Sequence, residues 1–447
     1  IPAGITLTVR KDTVVSVMSA ESTRTDPEYM SSLTEITVRG TLTVEGDPDA
    51  PVVFRLNQEE KAKGYWAGII VDGGSMRMRS CTVQDAETGI WVLGGTVHLE
   101  GTTLTANHYG LVAQQQDSGV TVTDSLITGN EYGLLTLGSA ALNPINSRVS
   151  GNRKKDAYSL PAATADFSRK SYAAPPAAGQ VREVGDEVMQ GDVIWQGRLR
   201  VNGVVRVPSG SRLIILPGTV VEFRKKDSNG DGIGENGLML QGVLLAKGTA
   251  EQPIFFRSAE QDGGKGDWDA VNIINSDGAR NLLEYCQFEN AYRGLHFHFA
   301  NVLVQHSVFR NNYRGVQFQE STAELRRNTF QENSSAIQAR DSEIIFRDNQ
   351  VQGNVFGANF FRAHLAVRDN SFTGNLDFGL KIREGYPTVH GNVFAGNRFG
   401  LMFSDTSYGS VAGNLMLRNS ESGMSVRAGD NLDINGNFVQ ANGLSGI

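Results

Sequence analysis

Long apolar runs are missing from this chain: none reaches the roughly 18 residues that a bilayer-spanning helix requires. The N-terminus carries no charged start followed by an apolar stretch, which leaves a soluble chain or one whose targeting segment has been removed. Cysteine is scarce, with only Cys81 and Cys286 in 447 residues, too few for a disulfide scaffold or a thiolate metal site. Charge of one sign is also lacking: 41 basic and 48 acidic residues are spread along the chain for a net of -7. That balance excludes a general nucleic-acid binder, so any polyanion binding has to be local. No window reads as a sustained amphipathic helix, and only 12 prolines interrupt the chain.

What is present is glycine, 51 residues of it, with many asparagines and valines and a 40% apolar content that must bury a core. This composition points to many short strands joined by tight turns. From residue 286 onward a phrase recurs: asparagine, any residue, apolar, two residues, asparagine, then a glycine and an alternating strand. Its first asparagines are Asn328, Asn349, Asn370, Asn392, Asn414 and Asn437, spaced by 21, 21, 22, 22 and 23 residues. A short fixed period predicts a solenoid, in which each coil satisfies its strand edges only by pairing with coils above and below at about 4.8 Å. A leucine-rich repeat has a similar period but needs a leucine consensus and helical segments that are absent here. Parallel crossovers turn right-handed, so the expected fold is all-β, a right-handed parallel β-helix. Phe309, Phe330, Phe372 and Phe394 should stack inside it. The asparagines are expected at the bends as structural ladders, where short side chains tolerate left-handed backbone and bond to neighbouring backbone groups.

The first half echoes the second. Pro51-Val-Val-Phe-Arg55 matches Pro253-Ile-Phe-Phe-Arg257, Gly64-Tyr-Trp-Ala-Gly-Ile69 matches Gly266-Asp-Trp-Asp-Ala-Val271, and Cys81-Thr-Val83 matches Cys286-Gln-Phe288. The expected organisation is two tandem modules, 1–160 and 186–447, joined by an alanine- and proline-rich linker over 161–185. Because the cysteines hold equivalent interior positions in different modules, no bridge between them is expected. The first module lacks the lead-in Val193-Ile-Trp195, and Gly446-Ile447 stands where a strand should begin, so the expectation is a fragment of a longer chain or assembly.

The asparagine phrase, with the Pro-Ile-x-Phe and Gly-x-Trp lead-ins, resembles the parallel β-helix repeat proteins of the pectate-lyase-like superfamily, including its carbohydrate-binding and sugar-hydrolase type repeats. That resemblance covers nearly all the chain outside the linker. It implies a bacterial surface or periplasmic protein, and an outer strand face on which enzymes of the superfamily hold sugar chains, with arginine or lysine engaging uronate carboxylates. The superfamily's catalytic signatures, Asp-Pro-His-Asp and Gly-His-Gly with paired aspartates, do not occur in this sequence.

Strand parity puts one polar and basic column pair outward after each glycine of the second module: His296 and His298, Gln317 and Gln319, Gln338 and Arg340, Asn359 and Phe361, Lys381 and Arg383, Met402 and Ser404, Ser425 and Arg427. Those from His296 to Arg383 are the candidate ligand-binding residues. A lyase needs a base near the sugar C5 proton and a cation on the carboxylate, for which Lys381, Arg383 and Arg340 are the candidates, against an ordinary solvated face. His296 and His298 could ligate a transition metal if a third ligand joined them. The matching face of the first module, Trp91, Leu93, Val112, Gln114, Leu135 and Leu137, is too apolar for solvent and is expected to be covered.

Asp227-Ser-Asn229-Gly-Asp231-Gly-Ile233-Gly-Glu235 sets oxygen ligands at the spacing that opens an EF-hand-like calcium loop, with the Ile233 carbonyl available and Leu238 where the closing glutamate would stand. The expected cofactor is a structural calcium, against a solvated acidic turn. Three functions remain open: a non-catalytic extracellular or envelope protein presenting its face to polysaccharide or another surface macromolecule, a polysaccharide lyase or hydrolase, and a structural stalk or spacer.

Overall fold

The structure, a computed structural model, describes residues 1–18, 33–57, 65–114, 119–138, 140, 142, 144–160, 179–276, 278–426 and 431–447. Among them the regular elements are all strands, and every ladder between named strands is parallel. The chain divides into two compact units, Ile1–Ala162 and Ala163–Ile447.

In the second unit three parallel sheets of 12, 10 and 11 strands run the length of the solenoid. One coil supplies Val308–Arg310 to the first sheet, Arg314–Gln319 to the second and Thr322–Arg326 to the third, and the next coil starts at Thr329. We call these sheets 1, 2 and 3. Each coil changes direction three times, and each bend carries a left-handed residue: Glu320 at φ 51°, Arg327 at 56° and Glu332 at 57° in one coil.

Here the sequence expectation needs correcting. The asparagines stand at the bends, but the left-handed residue is the one before each: Arg327, Asp348, Asp369, Gly391, Gly413 and Gly436 in one ladder, Asn311, Glu332, Gly353, Gly374, Gly396, Arg418 and Ala441 in the other. The asparagine side chain is instead needed inside. Asn333 donates from both its backbone N and its Nδ2 to Asn354 Oδ1, each at 3.0 Å, and Nδ2 also reaches the Phe309 carbonyl at 2.9 Å. This unit repeats from Asn312 to Asn442 on one side of sheet 1 and from Asn328 to Asn437 on the other. Buried backbone groups freed by each bend are thereby satisfied. In the first unit Asn107, Asn130 and Asn152 make the same ladder.

The interior is stacked rather than merely apolar. Phe256, Phe288, Phe309 and Phe330 form one column with near-parallel rings, 4.6, 4.7 and 5.1 Å apart, and Phe372 stacks on Phe394 at 4.9 Å. The expected single column is broken at Val351, where Phe346 from sheet 3 leans between Phe330 and Phe372.

The first unit has one sheet of nine strands and one of six. Trp66 and Trp268, matched in sequence, are both fully buried and both donate Nε1 to a carbonyl three residues beyond the matched cysteine, Gln84 O and Glu289 O, each at 2.8 Å. Cys81 and Cys286 are free and buried, and burial pushes the Cys81 thiol up to about 11. Trp91, Leu93, Val112, Gln114, Leu135 and Leu137 are all buried. Residues 161–178 of the expected linker lie outside the described residues, and its end, Val181–Val184, is a strand paired with Arg198–Val201.

Candidate functional site

Sheet 2 aligns the outward residues one per coil. Register places His296, Gln317, Gln338, Asn359, Lys381, Met402 and Ser425 in one column and His298, Gln319, Arg340, Phe361, Arg383 and Ser404 in its neighbour. Arg427 lies outside the described residues. The face departs from an ordinary solvated one: His296, Gln317, Gln319, Phe361, Arg383, Met402 and Ser404 are buried, and His298, Gln338, Arg340, Asn359 and Lys381 are partly so.

The reason is that the side chains close over one another. Arg340 Nε donates to Gln319 Oε1 at 2.6 Å, and Gln319 Nε2 pairs with His298 Nδ1. His298 Nε2 faces His296 Nε2 at 2.8 Å, His296 Nδ1 meets Asn272 Oδ1 at 2.7 Å, and Asn272 Nδ2 donates to Asp269 Oδ2 at 3.1 Å. A guanidinium can only donate and a carboxylate only accept, so the direction of every bond between them is fixed. His298 donates from Nε2 and accepts at Nδ1, while His296 donates from Nδ1 and accepts at Nε2. Both imidazoles are therefore neutral. Desolvation, then the Arg293 and Arg340 charges, bring His298 down to about 4, and burial followed by Arg293 holds His296 well below its ordinary value. No ring nitrogen keeps a lone pair for a metal or a substrate proton, and among the described residues no three His, Cys, Asp or Glu gather as a metal site.

The three expected cations are also engaged. Arg383 Nε reaches Asp405 Oδ2 at 3.2 Å and its guanidinium lies 4.7 Å over Phe361. Lys381 Nζ sits 5.8 Å over Phe378, and Arg340 pairs with Asp341 at 3.5 Å.

A third column of the same strip was missed in the sequence: Arg293, Arg314, Ser335 and Phe356, then Phe378 and Phe399. Its signal was a large residue directly before most of the repeat glycines, which the parity count from the glycine onward passed over. Arg293 Nη2 holds Asp269 Oδ1 at 2.8 Å, Arg314 Nη1 holds Gln317 Oε1 at 2.6 Å, and both guanidinium groups lie over Tyr292. Phe356 and Phe378 pack at 5.4 Å. The strip thus runs from a polar, hydrogen-bonded end to an aromatic one that also carries Lys381 and Arg383.

The Asp227–Glu235 loop joins sheet 1 to sheet 2, between Val220–Phe223 and Gly237–Leu240. Asp227 accepts the Gly230 and Gly232 amides at 2.8 and 2.9 Å, Asn229 accepts Asp231 N at 3.0 Å, and Asp231 accepts Ile233 N at 2.8 Å. Glu235 turns to Ser228, whose amide and hydroxyl hold its carboxyl below the usual range. The donors are all oxygen, the type calcium takes, but Asp227, Asp231 and Glu235 are turned to amides and a hydroxyl of the loop itself and do not gather around one point.

The family model described as "Right handed beta helix region" matches residues 67–163, 265–385 and 363–447. No curated protein matches the chain. Among the described residues no helix is long and apolar enough to cross a membrane.

Proposed function

Since this chain belongs to the right-handed β-helix family, we propose that it is a non-catalytic extracellular, cell-surface or periplasmic protein that holds a polysaccharide along the outer strip of sheet 2. The observation that carries this reading is the relay from Arg340 to Asp269, in which every ring nitrogen of His296 and His298 already has a partner. A lyase needs a base with a free lone pair, and these imidazoles offer none. What the strip does offer is hydrogen-bonded polar side chains, packed aromatic rings and the cations Arg340, Lys381 and Arg383, the means by which a surface holds a sugar chain without cutting it.

Catalysis by Lys381, Arg383 and Arg340 is the competing reading, and a stalk or spacer the third. Incubation with acidic and neutral polysaccharides, following bound fraction and chain length together, separates them. Binding without shortening, weakened by Lys381→Ala and Arg383→Ala, is the expected result. New chain ends that vanish in those variants make the protein an enzyme, and neither binding nor cleavage leaves the spacer. The Asp227–Glu235 loop is read as a structural calcium site that stiffens the entry to sheet 2, supported by its oxygen-only donors at Asp227, Asn229, Asp231 and Glu235 and the Ile233 carbonyl.

A further inference from the structure

The hydrogen bonds of the sheet 2 strip run between two fixed ends. Arg340 Nε can only donate, here to Gln319 Oε1 at 2.6 Å, and Asp269 Oδ2 only accepts, from Asn272 Nδ2 at 3.1 Å. Every bond between them points the same way, through Gln319, His298, His296 and Asn272. Neither imidazole has an unused nitrogen, so an added proton must meet a donor that is already in place. On His296 it would set two N–H groups against each other across 2.8 Å, in a side chain that is buried. His298 is half-buried, and its Nδ1 faces the Gln319 amide nitrogen.

Gln319 can answer by a half-turn of its amide, which brings Oε1 to the protonated His298. The same turn puts Nε2 against Arg340 Nε, two donors face to face, and Arg340 has to leave. A destination lies beside it. Asp341 Oδ2 is 3.5 Å from Arg340 Nη1, in a carboxylate also held by Arg362 at 2.8 and 3.1 Å. We propose that this relay is an acid-operated switch, in which a proton on His298 turns over the Gln319 amide and moves the Arg340 guanidinium from Gln319 to Asp341.

The surrounding charges make the two events one. His298 has Arg293 and His296 on its own strand, Asp269 and Asn272 on the coil below, Arg314 and Gln319 on the coil above and Arg340 on the next, with Glu320 and Asp341 at the adjoining bends. Arg293 is held by Asp269 at 2.8 Å and Arg314 by Gln317 at 2.6 Å. Arg340 is the cation with a second partner within reach. Its departure removes a like charge from beside His298, and the arriving proton removes its acceptor, so each event favours the other by the same free energy. Desolvation, Arg293 and then Arg340 bring His298 down to about 4, which places the change in acid. On the reading of this strip as a polymer-binding face, on which this consequence rests, Arg340 serves the ligand near neutrality and is withdrawn in acid.

The experiment follows the His298 imidazole signals and the Arg340 Nε–H signal by NMR on the full chain, from about pH 7 to about pH 3.5. No polysaccharide is present, so the outcome is independent of whether the strip binds one. In the wild type both signals should change with one midpoint, while circular dichroism shows the β-structure intact. Gln319→Leu should hold Arg340 in its acid-form signal at every pH while His298 still titrates. Arg340→Gln should raise the His298 midpoint by about 1 pH unit. Asp341→Asn, on a partly exposed side chain, removes the destination and should lose most of the Arg340 change. The proposal is overturned if the Arg340 signal stays constant while His298 titrates, if it keeps its full change in Asp341→Asn, or if it changes only as the β-structure is lost. An Arg340 signal that follows His298 unaltered in a folded Gln319→Leu overturns it as well.

Discussion

Asn333 gives both its backbone and its side-chain N–H to Asn354 Oδ1, so one oxygen atom satisfies two buried donors of the neighbouring coil. Asn354→Ala leaves the Asn333 backbone N–H without its side-chain acceptor, removes one of the two partners of Asn333 Nδ2, the other being the Phe309 carbonyl, and withdraws Asn354 Nδ2 from the Phe330 carbonyl at 3.1 Å. A buried orphan costs about 1–3 kcal/mol, so a loss of that size is expected in urea unfolding. Asn437→Ala, at a partly exposed end of the other ladder, should cost less.

Two kinds of glycine should respond differently to alanine. Gly374 occupies a left-handed position that Glu332 and Arg418 fill in other coils, so a side chain fits and only the backbone conformation is penalised. Gly374→Ala is expected to cost about 1 kcal/mol. Gly357 has an ordinary φ, but a Cβ there would stand 1.9 Å from the Gly379 carbonyl oxygen. Gly357→Ala must push two coils apart and should cost about 3 kcal/mol, read as a lower denaturation midpoint.

Acid should loosen the sheet 2 strip before it reaches the carboxylates. His298 titrates at about 4 in the fold against 6.5 in an open chain, and His296 is shifted the same way. Between those values the unfolded chain binds more protons, so stability is complete above about pH 6.5 and falls as pH drops toward 4. Unfolding curves at intervals through that window should show the decline, and His298→Gln should flatten it. A profile unchanged by the substitution would mean that other groups govern the acid response.

Calcium should stabilise the second unit if the Asp227–Glu235 loop takes it. At a concentration roughly 100 times the dissociation constant the gain is about 2.7 kcal/mol, visible as a higher melting temperature that chelator reverses. Asp231→Ala should abolish the response while leaving the melting temperature in chelator unchanged. Equal melting with calcium and chelator in the wild type would make the loop a solvated turn held by its own Asx bonds.

The solenoid was legible because its information is local and repeated. A 21-to-23-residue period, an apolar residue at a fixed place in it and an asparagine at two of the three bends leave one way to satisfy the backbone, and residues such as Asn354 and Phe309 fell where the repeat put them. The alternation of a strand likewise gave the two columns of sheet 2, since parity is a property of the chain. Three things were decided only when the coils stacked. The left-handed residue precedes the asparagine because the side chain must turn inward to the next coil, a constraint with no sequence mark at Arg327 or Glu332. The strip of sheet 2 is largely buried because Arg340, Gln319, His298, His296 and Asn272, from four successive coils, close on one another. The aromatic column of sheet 3 exists because residues more than 20 positions apart in the chain, His364, Tyr386 and Tyr408, sit on successive coils with neighbouring rings 4.7 and 6.1 Å apart. Sequence fixes what a strand can present, and lateral stacking decides what its neighbours do to it.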